Sequence, residues 1–193
     1  LALLFFFFPN IVFSQKDVVV FHNCENLFHP SKDSLSQDGD FTLEGKKRWT
    51  YERYKKKLNL LAKTYIATSF PSIIGLCEIE NDKCLNDLCK DTPLRKGNYS
   101  FIHYNSDDLR GIDVALLYRP SRFKPIEHYK ITFPASNDAE RTRDVLYVNG
   151  EMNKTKLHLY VVHAPSRREH NAKKMLRKSI FDSIYNHIKQ LKE

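Results

Sequence analysis

Three apolar runs in this chain end in residues able to hold a cation, a phosphate or a proton. "FHNCENLF" (21–28) follows Val18-Val19-Val20 and brings Asn23, Glu25 and Asn26. "IIGLCEIEN" (73–81) ends in Glu78, Glu80 and Asn81, and "LHLYVVHAPSR" (157–167) leads to His163 and Ser166. Carboxylate and amide oxygens suit Mg²⁺, which needs only one or two carboxylates and keeps several waters. A histidine beside such an ion can donate to a phosphate oxygen or shuttle a proton. Singly these residues say little: Asn is a common turn former, a strand-end Glu is commonly just exposed, and a lone His is commonly structural. On the first stretch alone a turn is the better reading. Together they point to one place, because open α/β sheets bind ligands where strand ends converge.

The elements that must position them follow from periodicity. A first strand is expected over 17–23, a polar loop over 29–43, and a long helix from Glu44 to about Thr68. Tyr54, Leu58, Leu61, Ala62 and Tyr65 make the apolar face of that helix. Lys55, Lys56 and Lys57 cannot share a face and read as solvated exterior. A buried strand follows over 72–77, then a short helix over 82–90. Strands are expected in "YSFIHYN", "IDVALLYRP", "IEHYKITF", "RDVLYVNGEM" and "KLHLYVVHAP". A last helix should run from about Glu169 to Leu191, with Met175, Leu176, Ile180, Ile184 and Ile188 apolar. Strands alternate with helices at both ends and run consecutively in the middle, the pattern of a mixed α/β sandwich.

With 193 residues, 41% apolar and 28% charged, the chain is globular rather than disordered. A net charge of +8 suits a phosphate-bearing partner and equally a merely soluble surface. "LALLFFFF" followed by "VFSQ" reads as an incomplete signal peptide over 1–14, cleaved before Gln15, so export is expected. The run is shorter than the roughly 20 apolar residues a membrane span takes. Cys24, Cys77, Cys84 and Cys89 show no CxxC spacing for zinc. They read as free structural cysteines, Cys84 and Cys89 on different helix faces, with a Cys24–Cys77 bridge left open.

The three runs and "HYNSDDLRGIDVALLYRP" (103–120) resemble, in order and spacing, the endonuclease/exonuclease/phosphatase superfamily. "FTLEGKKRWTYERY" (41–54) is similar to a segment of a secreted bacterial branch. The resemblance implies an α/β fold, a two-sheet β-sandwich flanked by helices, and hydrolysis of phosphoester bonds with Mg²⁺, or Mn²⁺ or Ca²⁺. It implies that Glu78 binds the metal, that Asn23 lies near metal and phosphate, and that His163 contacts the scissile phosphate. Arg167 and Arg110 become candidates for the substrate phosphate, a turn salt bridge between Arg110 and Asp113 being the equal alternative. Asn23 then reads as part of a site, with Asn26 as the cap. The implied partner is a phosphoester substrate, nucleic acid among the candidates, with no stable membrane insertion and no obligate protein partner. A non-catalytic polyanion-binding module, or a phosphomonoesterase acting on sugar or inositol phosphates, stays open.

The superfamily's later Asp-x-Asn and Ser-Asp-His motifs do not occur after His163. Residues 15–193 are therefore expected to be the N-terminal part of such a domain. On that basis the chain should supply mainly one of the two sheets, with the face meant for the other exposed.

Overall fold

The computed structural model describes residues 16–31, 39–133, 142–167 and 173–191. The expected signal peptide and its cleavage before Gln15 fall outside the described residues. Strands β1 (Val19–Leu27), β2 (Ile73–Ile79), β3 (Ser100–His103) and β4 (Asp113–Tyr118) form one sheet in the order β1-β2-β4-β3. Its β1–β2 pair is parallel and its other pairs antiparallel. Strands β5 (Phe123–Ile131), β6 (Val145–Met152) and β7 (Thr155–Val161) form an antiparallel meander. Helices α1 (Tyr51–Ala67), α2 (Asp82–Lys90) and α3 (Lys174–Gln190) complete the fold. No helix among the described residues is long and apolar enough to cross a membrane.

Alternation along the strands sorts the first sheet into two faces. Ile74, Leu76, Ala115 and Leu117 pack with Tyr54, Leu58, Leu61 and Tyr65 of α1 and with Leu85 and Leu88 of α2. Ile73, Cys77, Val114 and Leu116 turn the other way and meet Phe123, Leu146, Val148 and Val161 of the meander. The expectation of a bare second face is thus corrected. The chain supplies strands of both sheets, and at the β1 margin Val19 and Phe21 stay more than half exposed.

Several boundaries also move. α1 begins at Tyr51 rather than Glu44, because Thr50 caps it by accepting from the Arg53 N–H at 3.2 Å. Trp49 is instead buried, its indole N–H bonded to the Phe28 carbonyl at 2.8 Å. α3 buries only Ile180, while Met175 and Ile188 of its predicted apolar face are exposed. Its His187 lies between two strands' tyrosines, with Tyr129 Oη 2.5 Å from Nε2 and Tyr160 Oη 2.6 Å from Nδ1. All four cysteines are free and buried. A Cys24–Cys77 bridge is excluded by pleating: Asn23, not Cys24, is the register partner of Cys77, so the two thiols face opposite cores. Burial pushes both thiols up to about 12, leaving them unreactive. Cys84 and Cys89 both enter the helix-side core despite their angular separation.

Candidate functional site

Glu78 owes its position to a defect in the ladder. Ile74 and Leu76 point into the helix-side core, and strict alternation would bury Glu78 there too. Instead the register with β4 slips between Cys77 and Ile79, and Ile79 takes the core position. Glu78 becomes the extra residue of a bulge, at φ 62°. Bulges beside active sites re-aim a side chain in this way. The β1 partner is irregular over the same stretch, with Glu25 at φ 54° and Asn26 at φ 64°. Left-handed backbone at non-glycine residues costs roughly 1–3 kcal/mol each and clusters at ligand sites.

Those two distortions meet. The Asn23 amide donates to Glu78 Oε1 at 3.1 Å, and the Asn26 backbone N–H donates to Oε2 at 2.8 Å. Asn23 Oδ1 in turn accepts the Glu25 N–H at 2.7 Å. β1 therefore runs through the asparagine stretch to Leu27 rather than stopping at residue 23. Asn26 serves the site through its backbone N–H, not as a side-chain cap. From the second sheet, His163 lies just past the end of β7 and brings Nε2 to 3.2 Å from Glu78 Oε1. The carboxylate and the imidazole are 13% and 19% exposed, so both can be reached by a small ligand. Burial, reinforced by Arg143 and Arg110, lowers the His163 pKa against the pull of Glu78 and Asp108.

Arg110 enters from the loop between β3 and β4. It pairs with Asp108 at 3.5 Å and not with Asp113, which binds His103 at 3.2 Å and the Ser106 N–H at 2.9 Å. The same Asp108 carries a second, buried partner, Arg143, at 2.8 Å. Arg143 Nε and the neighbouring Thr142 Oγ1 are buried without a hydrogen-bond partner among the described residues. Sequence reasoning passed over Arg143. It stands two residues ahead of the apolar run of β6, and the start of an antiparallel strand reaches the same edge as the end of its neighbour. Arg167 is exposed, four residues beyond His163. Glu80 is structural: it is 4% exposed and accepts the His29 N–H at 2.7 Å. Asn81 caps α2 by accepting from the Cys84 N–H.

Among the described residues, no group of three or more His, Cys, Asp or Glu side chains could hold a metal ion. The donors at hand, the Glu78 carboxylate and the Asn23 amide, fit a hard, largely hydrated ion such as Mg²⁺, for which one carboxylate suffices.

The chain is similar in fold to several solved structures. A humanized D. rerio TDP2 carrying 14 mutations aligns with TM-score 0.55 at 22% identity, over 72% of this chain and 54% of that one. The human Nocturnin catalytic domain aligns with TM-score 0.54 at 16% identity, over 72% and 53%. TDP2 from Caenorhabditis elegans aligns with TM-score 0.53 at 19% identity, over 73% and 40%. The chain thus spans about half the length of these relatives or less. No curated protein matches it. The model of the Endonuclease/Exonuclease/phosphatase family matches residues 18–190, nearly the whole described chain, and the chain belongs to that family.

Proposed function

We propose that the chain carries the metal- and phosphate-binding side of a divalent-metal-dependent phosphoester hydrolase, a nuclease or other phosphodiesterase. The observation that supports this most is the Glu78 carboxylate. A bulge turns it out of the core, and Asn23, Asn26 and His163 hold it at one sheet edge. Glu78 would hold Mg²⁺, with Asn23 beside it. When bound, such an ion polarises a phosphoryl oxygen and so favours attack by water. His163 and the guanidinium groups of Arg110 and Arg143 offer N–H donors, and planar guanidinium forks suit phosphate oxygens. Arg167, exposed beyond His163, would meet a more distant oxygen of the substrate. The apolar leader supports export of the protein.

Metal binding should be weak, because Glu78 is the single carboxylate placed beside Asn23 and His163 among the described residues. The test is a Mn²⁺ titration followed by electron paramagnetic resonance, with Mg²⁺ competing. Binding that Glu78→Gln removes is expected, together with Mg²⁺-dependent, Glu78-dependent cleavage of a chromogenic phosphodiester by the whole protein. Phosphate binding indifferent to metal and to Glu78 would instead establish a non-catalytic binding module.

A further inference from the structure

The three-lysine run of α1 is not all solvated exterior. Lys57 is half-buried, and its ammonium donates to the Glu25 carbonyl at 2.6 Å and to the Asn26 carbonyl at 3.4 Å. Those are the two residues of β1 in left-handed backbone. The amide of the second of them, Asn26, reaches Glu78 Oε2 at 2.8 Å. Lys57 is itself held from outside. Its Nζ lies 5.6 Å from the centre of the Trp49 ring, which also carries Arg53 at 5.4 Å. The Trp49 indole N–H is tied to the Phe28 carbonyl, two residues beyond Asn26. The Arg53 guanidinium ties back the Lys47 and Arg48 carbonyls.

We propose that Lys57 is a positioning residue of the candidate site: from α1 it clamps the Glu25–Asn26 carbonyls, keeping the left-handed turn that aims the Asn26 N–H at Glu78. The physical reason is a mismatch. Neither Glu nor Asn is glycine, so the turn is unfavourable on its own. Two carbonyls brought to one side gain most from a shared cation, and the ammonium carries several donors for them. Lys55 and Lys56 are exposed and have no such role. The segment around Trp49 thus braces the site without touching substrate.

The inference rests on the reading of Glu78 as a metal carboxylate only for its second readout, Mn²⁺ affinity. The first readout is amide hydrogen exchange of the ¹⁵N-labelled chain. In Lys57→Met, which keeps the aliphatic stem, the Asn26 amide should exchange about tenfold faster or more, a change of about 1.4 kcal/mol in local opening. The ladder amides of β2 and β4 should keep their protection, and Lys56→Met should change neither. Adding Glu25→Gly to Lys57→Met should restore the slow exchange, since glycine takes the left-handed turn unaided. Mn²⁺ affinity should fall and recover in parallel. A folded Lys57→Met chain with unchanged Asn26 exchange, or a glycine that restores nothing, would overturn the proposal. A third readout needs no variant: the Lys57 ammonium protons should exchange more slowly than those of Lys55 and Lys56, and equal rates would also overturn it. Absence of Mn²⁺ binding in the unaltered chain would instead sink the metal reading of Glu78 and leave the exchange data to judge Lys57.

Discussion

The two ends of the parallel β1–β2 pair use polar groups in opposite ways. At the end where these strands begin, Asp17 gathers four elements into a closed cluster. It accepts from the Ser72 hydroxyl at 2.5 Å, from Arg122 Nη2 at 2.8 Å and Nε at 2.9 Å, and from the Asn153 amide. Backbone joins in, with the Ser72 N–H bonded to the Val18 carbonyl at 2.8 Å. At the other end, Glu78 and His163 sit among Arg110, Arg143 and Asp108. Both ends hold left-handed backbone, at Asn153 beside Asp17 and at Glu25, Asn26 and Glu78 here, but here Arg143 Nε and Thr142 Oγ1 are also buried without partners among the described residues. In the first cluster both Asp17 oxygens have donors. The second leaves donors over, and a buried donor left unpaired costs about 1–3 kcal/mol. That asymmetry is the physical difference between the two ends.

Breaking each end should give different symptoms. The largest effect is expected from Glu78→Gln, which removes the carboxylate charge at the site. Losing an ion's contribution of several kcal/mol corresponds to about 10³-fold in Mg²⁺-dependent turnover of the whole protein. Its cost to folding should be smaller: the amide keeps one acceptor oxygen, and its NH₂ leaves either the Asn23 or the Asn26 donor without an acceptor, worth about 1 kcal/mol. Asp17→Ala should do the reverse. Leaving Arg122 without its charge partner should cost about 3 kcal/mol, read in urea unfolding, with Mn²⁺ binding intact. Equal loss of binding in the two variants would erase the distinction between the ends.

Arg143→Lys sharpens the comparison within the site. A lysine keeps the charge for Asp108 but removes the planar fork. Binding of inorganic phosphate should weaken about tenfold, the worth of one charge-assisted hydrogen bond. Unchanged phosphate affinity would mean that the unpartnered guanidinium faces no ligand.

The smallest effect concerns pH. Burial alone would lower the His103 pKa, but Asp113 at 3.2 Å and Asp82 at 2.7 Å outweigh it and raise it. The folded state thus binds the proton more tightly than the unfolded chain. Its stabilisation is complete below the unfolded value of about 6.5 and is lost as pH rises through the folded value. At the opposite end the sign reverses. The Ser72 hydroxyl, then Arg122 and Asn153, hold Asp17 below the ordinary carboxylate range against burial. That stabilisation is present above about 3.9 and is lost as pH falls through the folded value. Urea titrations across both windows should show the alkaline loss vanish in His103→Asn and the acidic loss vanish in Asp17→Asn.

Much of this was legible in the chain as written. Val18–Val20, Ile73–Cys77 and Leu157–Val161 announced strands because short, β-branched-rich apolar runs read as strands. Tyr54, Leu58, Leu61, Ala62 and Tyr65 announced α1, and all five are buried. Asn23, Glu78 and His163 stood out as polar residues at strand ends, and the fold brings these three side chains together. Those features are local, set by side-chain period and by the chemistry of single residues.

Tertiary structure alone decided the rest. No local pattern distinguishes Lys57 from Lys55 and Lys56; only the approach of α1 to the end of β1 selects it. Glu78 and Glu80 are the same residue type two positions apart, yet a bulge sends one to the open edge and pairing with the His29 N–H buries the other. Arg143 joins the site because the antiparallel β6–β7 pair sets the start of one strand beside the end of the next. The two cysteines that sequence left as a candidate pair are parted by the pleat of a single sheet. The physical reason is common to all four: residue type and period state what a side chain can do, whereas its partner is chosen by register and packing between segments far apart in the chain.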